Sequence, residues 1–220
     1  MSNLVTCPMQ TGQIKGNFMP FKIIDFSIVS QQEHKFVQPV QLHYLQDGEE
    51  RSWEAVKSHD SVSVLLYHSD KKAFLLVKQF RPPVYMTHSY TCTYELCAGI
   101  VDKPEPLEKI TQEEIDEECG YAVPLVALEK VSSFFTNVGI TGSQQHLFFA
   151  EIDESMKIHS GGGIRGEKII LEYIPLSEAR EFLYNESIAK TPGLMFAFYW
   201  FFEKYGKEII FPAATHEQQI

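Results

Sequence analysis

Residues 98–121 read AGIVDKPEPLEKITQEEIDEECGY and gather five carboxylates, Glu113, Glu114, Asp116, Glu117 and Glu118, within six positions. Like charges three or four residues apart on a helix repel by roughly 0.2–0.5 kcal/mol per pair. Such a run folds either as a solvated helix face or around something positive. The segment reads as a helix that starts near Leu107, after Pro104 and Pro106, and stops at Gly120, a residue suited to a helix C-cap. At about 100° per residue, Glu114 and Glu118 lie one turn apart and fall between Ile110 and Ile115, on the half that also carries Leu107. Glu117 flanks Ile110. Two or three carboxylates therefore face the protein rather than solvent. Carboxylates near a core are costly unless paired or bound to a cation, and Lys109 is the only basic residue on this helix. An oxygen-only donor set suits a hard divalent cation, Mg²⁺ or Mn²⁺. On periodicity alone, an acidic surface helix with distant arginine partners stays open as the alternative.

The rest of the chain reads mainly as strands. Residues 21–29 alternate loosely. Residues 40–56 form two runs around Asp47-Gly48, a preferred tight turn. Residues 61–68 (SVSVLLYH) and 73–80 (AFLLVKQF) flank the polar turn SDKK and are rich in β-formers. Residues 90–96 make a further strand, and LVALEKVSSFF, HLFFAEI and KIILEYI three more. HSGGGIRGE (159–167) is a glycine loop. LSEAREFLYN reads as a helix with Ser177 as its cap, and residues 192–206 as an apolar helix. This order predicts an α/β (α+β) fold, a mixed β sheet sandwiched between helices. Residues 1–58 read as an antiparallel, strand-rich extension and residues 59–220 as the main domain.

Composition narrows the function. A formal net charge of −10 over 220 residues argues against nucleic acid or an anionic membrane as partner. The longest apolar run, LMFAFYWFF, is too short to span a bilayer and reads as a buried helix or a subunit contact. The first ten residues show no basic segment followed by an apolar one. Cys7, Cys92, Cys97 and Cys119 show no C-x-x-C pair and no zinc spacing. They are expected to be reduced thiols in a cytoplasmic protein.

Gly99, Glu105, Glu114, Ile115, Glu117, Glu118, Gly120 and Tyr121 stand in the spacing of the Nudix box. The segment resembles the Nudix hydrolase family, with two departures: Tyr121 at an aliphatic position, and Glu113 where the family carries arginine. The resemblance continues through VLLYHSDKKAFLLVKQFRPPVY and YELCAGIVD, which are similar to the nucleoside-diphosphate-sugar branch. FFTNVGITGSQQHLFFAE and GGGIRGEKIILEYIPL are similar to its UDP-sugar-hydrolysing members. No proline lies between residues 125 and 174, unlike the usual ADP-ribose members.

The resemblance implies a Nudix fold and Mg²⁺-dependent hydrolysis of a UDP-sugar such as UDP-glucose to UMP and a sugar 1-phosphate. The alternatives are the same chemistry on ADP-ribose and a non-catalytic module that binds a nucleotide sugar. It implies metal ligands at Glu114 and Glu118, with Glu117 sharing them, and at the backbone carbonyl of Ala98. Gly99 would let the loop approach closely. Glu167, after the glycine loop, is the matching general base, with residues 161–163 as a hinge; Glu114 and Glu117 are alternatives and Glu172 a weaker one. Arg81 is assigned to the diphosphate, with an ion pair as the alternative, and Glu95 to ribose or a second subunit. Glu113 is expected to weaken the orientation of the box carboxylates, or to leave that task to a basic residue elsewhere. The branch implies a homodimer reached across by the extension. Trp53 reads as a packed core residue, with base stacking across the dimer as the alternative. His43, His59 and His68 read as structural.

Overall fold

A computed structural model describes residues 21–27, 38–164 and 166–210. Strands β1 (Gln38–Gln46) and β2 (Glu49–Lys57) pair antiparallel through a two-residue turn. Asp47 and Gly48 both take positive φ there (54° and 84°), as the tightest hairpin turn requires. This ribbon forms a sheet of its own, separate from the main one.

The main sheet is organised by a hairpin that splits. β3 (Ser61–His68) and β4 (Ala73–Gln79) pair with each other only between residues 66–68 and 73–75, next to their turn. Beyond that point they diverge. β5 (Thr93–Glu95) fills the gap along β4, and β6 (Cys97–Ile100) fills it along β3. β8 (Gln144–Ile152) runs parallel to β3, with β7 (Glu129–Phe135) beyond it, and β9 (Ile170–Pro175) lines the far side of β4. The parallel β3–β8 pair makes the sheet mixed, as expected.

Strand alternation sorts the core into two layers. Val62, Val64, Leu66, Leu75 and Val77 face one side, where they meet Ile110 and Ile115 of the acidic helix. Leu65, Phe74 and Leu76 face the other side. There they meet Ala179, Phe182 and Leu183 of α3 (Leu176–Tyr184) and Leu194, Ala197, Phe198 and Phe201 of α4 (Pro192–Ile210). Phe198 is fully buried, with its ring 4.1 Å from that of Phe74. Burying a side chain of this size contributes about 1.5–3 kcal/mol.

Several local expectations are corrected. Residues 21–27 form no strand, and residues 28–29 lie outside the described residues. α1 (Pro82–His88) is a short helix where none is expected; its two leading prolines suit the first helical positions, which need no N–H. Ser177 does not cap α3: Pro175 occupies the cap position and Ser177 lies in the first turn. α4 is apolar all round in sequence but buries one face only, leaving Phe196 and Tyr199 exposed. Trp53 is no core residue. It is 53% exposed, and its ring N–H donates to the Gly139 carbonyl at 2.8 Å. His68 is fully buried between the rings of Tyr121 and Tyr173. Cys97 and Cys119 are buried free thiols and Cys92 a partly buried one, whereas Cys7 lies outside the described residues. No described helix is long and apolar enough to cross a membrane.

Candidate active site

The split hairpin builds the site. β5 and β6 occupy the gap between β3 and β4, so the chain passes Glu95, Ala98 and Gly99 along the sheet before turning into α2 (Leu107–Glu114). α2 packs Ile110 and Ile115 onto the sheet, and that register aims Glu114 and Glu118 back at β6. Residues 115–119 leave the α-helical pattern and form a π turn, which ends at Gly120 in the left-handed conformation (φ 73°). Such turns frequently occur at functional sites. A π turn departs from the regular 3.6-residue period, so the spacing of apolar residues carries no sign of it.

Glu118 is 95% buried, and its Oε2 accepts a hydrogen bond from the Ala98 N–H at 3.0 Å. Burial pushes its carboxyl up to about 8 even though the donors at Ala98 and Cys97 pull the other way; the charges of Glu114 and Glu167 add to the rise. Glu114 is half-buried. Burial, then the charges of Glu117 and Glu167, push its carboxyl up to about 7. Gly99 makes the approach possible: a Cβ there would lie 1.9 Å from Glu114 Oε1. Glu114 and Glu118 therefore converge on β6 at residues 98–99.

Arg81 forks onto Glu95, with Nε and Nη2 donating to the two carboxylate oxygens at 2.8 and 2.7 Å. A bidentate pair of this kind holds a guanidinium in one orientation. About half of the Arg81 side chain reaches solvent, whereas Glu95 is nearly buried. The charges of Glu95, Glu118 and Glu167 all act on Arg81, so it lies on the same side of the molecule as the acidic cluster. Glu167 is exposed, and its Oε2 accepts from the Ile164 N–H at 3.2 Å. Glu172 is held by Lys78 at 3.1 Å. Among the described residues, no three acidic, histidine or cysteine side chains form a ready-made metal cluster.

Glu113 departs from the cluster. It pairs with Lys103 and, at 3.5 Å, with Lys109, and these contacts hold its carboxyl below the usual range. The reversed charge thus sits on the outer flank of α2. Among the described residues, two basic side chains from outside the helix act on the carboxylates: Lys103 on Glu114, and Arg81 through the charge of Glu118. Sequence reasoning missed the Lys103 contact, because Lys103 precedes the helix. An ion pair is the sequence alternative for Arg81, but Glu95 is not foreseen as its partner, because the two come from different strand ends.

No family model matches the chain. It is 37% identical over 196 residues to the uridine diphosphate glucose pyrophosphatase of Bos taurus, an alignment that covers 76% of this chain and 88% of that one. The Mus musculus protein of the same name is 36% identical over 198 residues, 77% of this chain and 89% of its own. This chain belongs to the Nudix hydrolase family. The GDP-mannose pyrophosphatase of Pectobacterium atrosepticum is 40% identical over 121 residues, 54% of this chain and 61% of that one. Among solved structures, an ADP compounds hydrolase superposes with a TM-score of 0.59 at 15% identity, covering 78% of this chain and 88% of its own. That likeness bears on the fold alone, and the fold is the expected mixed sheet between helices.

Proposed function

We propose that this Nudix hydrolase cleaves the diphosphate bond of a UDP-sugar such as UDP-glucose, releasing UMP and a sugar 1-phosphate. One observation carries the reading: similarity to a UDP-glucose pyrophosphatase extends over three quarters of the chain, whereas the GDP-mannose enzyme aligns over about half of it.

The carboxylates fit a divalent cation, Mg²⁺ or Mn²⁺. Glu114 and Glu118 are buried beyond what their hydrogen bonds compensate, and both are oxygen donors. Glu114, Glu118, Glu117 and the Ala98 carbonyl are the groups that would hold it. When bound, such an ion neutralises diphosphate charge and acidifies water. The protein supplies the rest. Arg81, fixed by Glu95, presents its exposed edge to a phosphate oxygen. Glu167, exposed and close enough to influence Glu114 and Glu118, accepts a proton from the attacking water. Gly99 keeps the loop clear of Glu114.

The β1–β2 ribbon supports a homodimer. A lone two-stranded ribbon is marginal in water, and this one exposes Leu42, Leu45 and Trp53. A second copy that covers it makes residues 1–58 a dimerisation extension. The unpaired thiols of Cys92, Cys97 and Cys119 support a cytoplasmic location. The test is turnover of a nucleotide-sugar panel with Mg²⁺. Preferential cleavage of UDP-glucose is expected, and preference for ADP-ribose or GDP-mannose would overturn the specificity.

A further inference from the structure

The π turn is not free at its carbonyl end. The Gly162 N–H donates to the Glu118 carbonyl at 2.9 Å, and the Gly163 N–H donates to the Glu117 carbonyl at 3.1 Å. Two of the three residues of the acidic cluster thus receive the glycine loop on their backbones. Four residues beyond Gly163 stands Glu167. The seat is tight: residue 161 has φ 67°, and a Cβ there would lie 2.4 Å from the Glu118 carbonyl oxygen. Only glycine satisfies both conditions.

A side chain pins this seat. His159 Nε2 lies 2.6 Å from Asp116 Oδ1, and His159 Nδ1 accepts the Gly161 N–H at 3.0 Å. Since Nδ1 accepts, the ring proton resides on Nε2 and is donated to Asp116. One imidazole therefore ties the π turn, through its Asp116 side chain, to the first amide of the glycine loop. Asp116 occupies a position that the Nudix spacing leaves unspecified. Lys157 secures the same end of the helix, with Nζ donating to the Cys119 carbonyl at 2.7 Å.

We infer that His159 and Asp116 are positioning residues: they dock residues 161–163 on the carbonyls of Glu117 and Glu118 and so set where Glu167 stands relative to the carboxylates. The residues 161–163 act as a seated latch that presents Glu167. The inference rests on the reading of Glu167 as the group that accepts the proton from water.

The experiment has two arms, both on the full chain. Amide hydrogen exchange of the metal-free protein reads the latch itself. In His159→Ala and Asp116→Ala, the Gly162 and Gly163 amides should exchange about tenfold faster or more, with β3 and β8 unchanged. Asp116→Asn, which keeps an oxygen to receive Nε2–H, should restore protection. Unchanged protection in both alanine variants would overturn the latch. Steady-state kinetics on UDP-glucose with Mg²⁺ read its purpose. His159→Ala should lower kcat about tenfold at unchanged KM, and this loss should vanish when His159→Ala is combined with Glu167→Gln. An equal loss in both backgrounds would overturn the link to Glu167. If Glu167→Gln alone left kcat intact, the assignment of Glu167 would fall while the exchange result stood.

Discussion

Removing the charge of Glu118 should stabilise the metal-free protein, and should do so only at high pH. The carboxyl lies about 8 in the fold against an ordinary 4.5. A raised carboxylate contributes stability that is full below about pH 4.5 and is lost as pH climbs through about 8. At roughly 1.36 kcal/mol per unit, the ceiling on the loss is about 5 kcal/mol at pH 9 and above. Glu114 titrates close by and takes part of that, so about 2–3 kcal/mol is expected for Glu118 alone. Glu118→Gln keeps an oxygen for the Ala98 N–H and removes the charge. In chelator, the Tm of the variant should match that of the parent near pH 5 and exceed it by about 5 °C or more at pH 9, given about 2–4 °C per kcal/mol for a chain of this size. Thermal unfolding followed by circular dichroism across this range measures it. A variant as stable as the parent at pH 9, or less stable, would refute the claim that the site holds an uncompensated buried charge.

Further outcomes follow from the same geometry. Gly99→Ala should displace the Glu114 carboxylate, the movable group in the clash, and lower kcat about tenfold or more while Tm changes by only a few degrees. Glu113→Ala should leave turnover within about twofold, because Glu113 pairs outward with Lys103 and Lys109 in exposed ion pairs of small worth; a loss above tenfold would restore an orienting role to that position. Phe198→Ala should cost about 3–5 kcal/mol by opening a cavity between β4 and α4, seen as a large drop in Tm. Leu42→Asp combined with Leu45→Asp should convert a dimer to a monomer by light scattering; an unchanged mass would remove the ribbon from the interface.

The parts of this molecule that were legible in sequence are those fixed by local chemistry. Asp47-Gly48 announced its turn because few other pairs tolerate two positive φ angles. The β3–β4 hairpin announced itself through β-rich runs about a polar turn, and Gly120 announced the end of the acidic helix. The inward aim of Glu114 and Glu118 followed from their spacing against Ile110 and Ile115. What sequence did not show is non-local. The parallel β3–β8 pairing and the splitting of β3 from β4 depend on which strand reaches a free edge, and no short window carries that. The π turn departs from the period used to read the helix. The size of Trp53 suggests burial, but its ribbon forms a separate sheet and leaves the side chain exposed. The pairing of His159 with Asp116 joins residues 43 positions apart. A glycine loop and a histidine beside it gave no signal of where they dock.

A diphosphate-cleaving site built on Glu114 and Glu118 would need both a divalent cation and the Glu118 carboxylate. Its most direct test is phosphate release from UDP-glucose, GDP-mannose and ADP-ribose, with Mg²⁺ present and a phosphatase to free phosphate from the monoester products. UDP-glucose should be cleaved preferentially, and activity should be lost on chelation and in Glu118→Gln. Full turnover by Glu118→Gln, or no turnover of any nucleotide sugar by the parent chain, would contradict it.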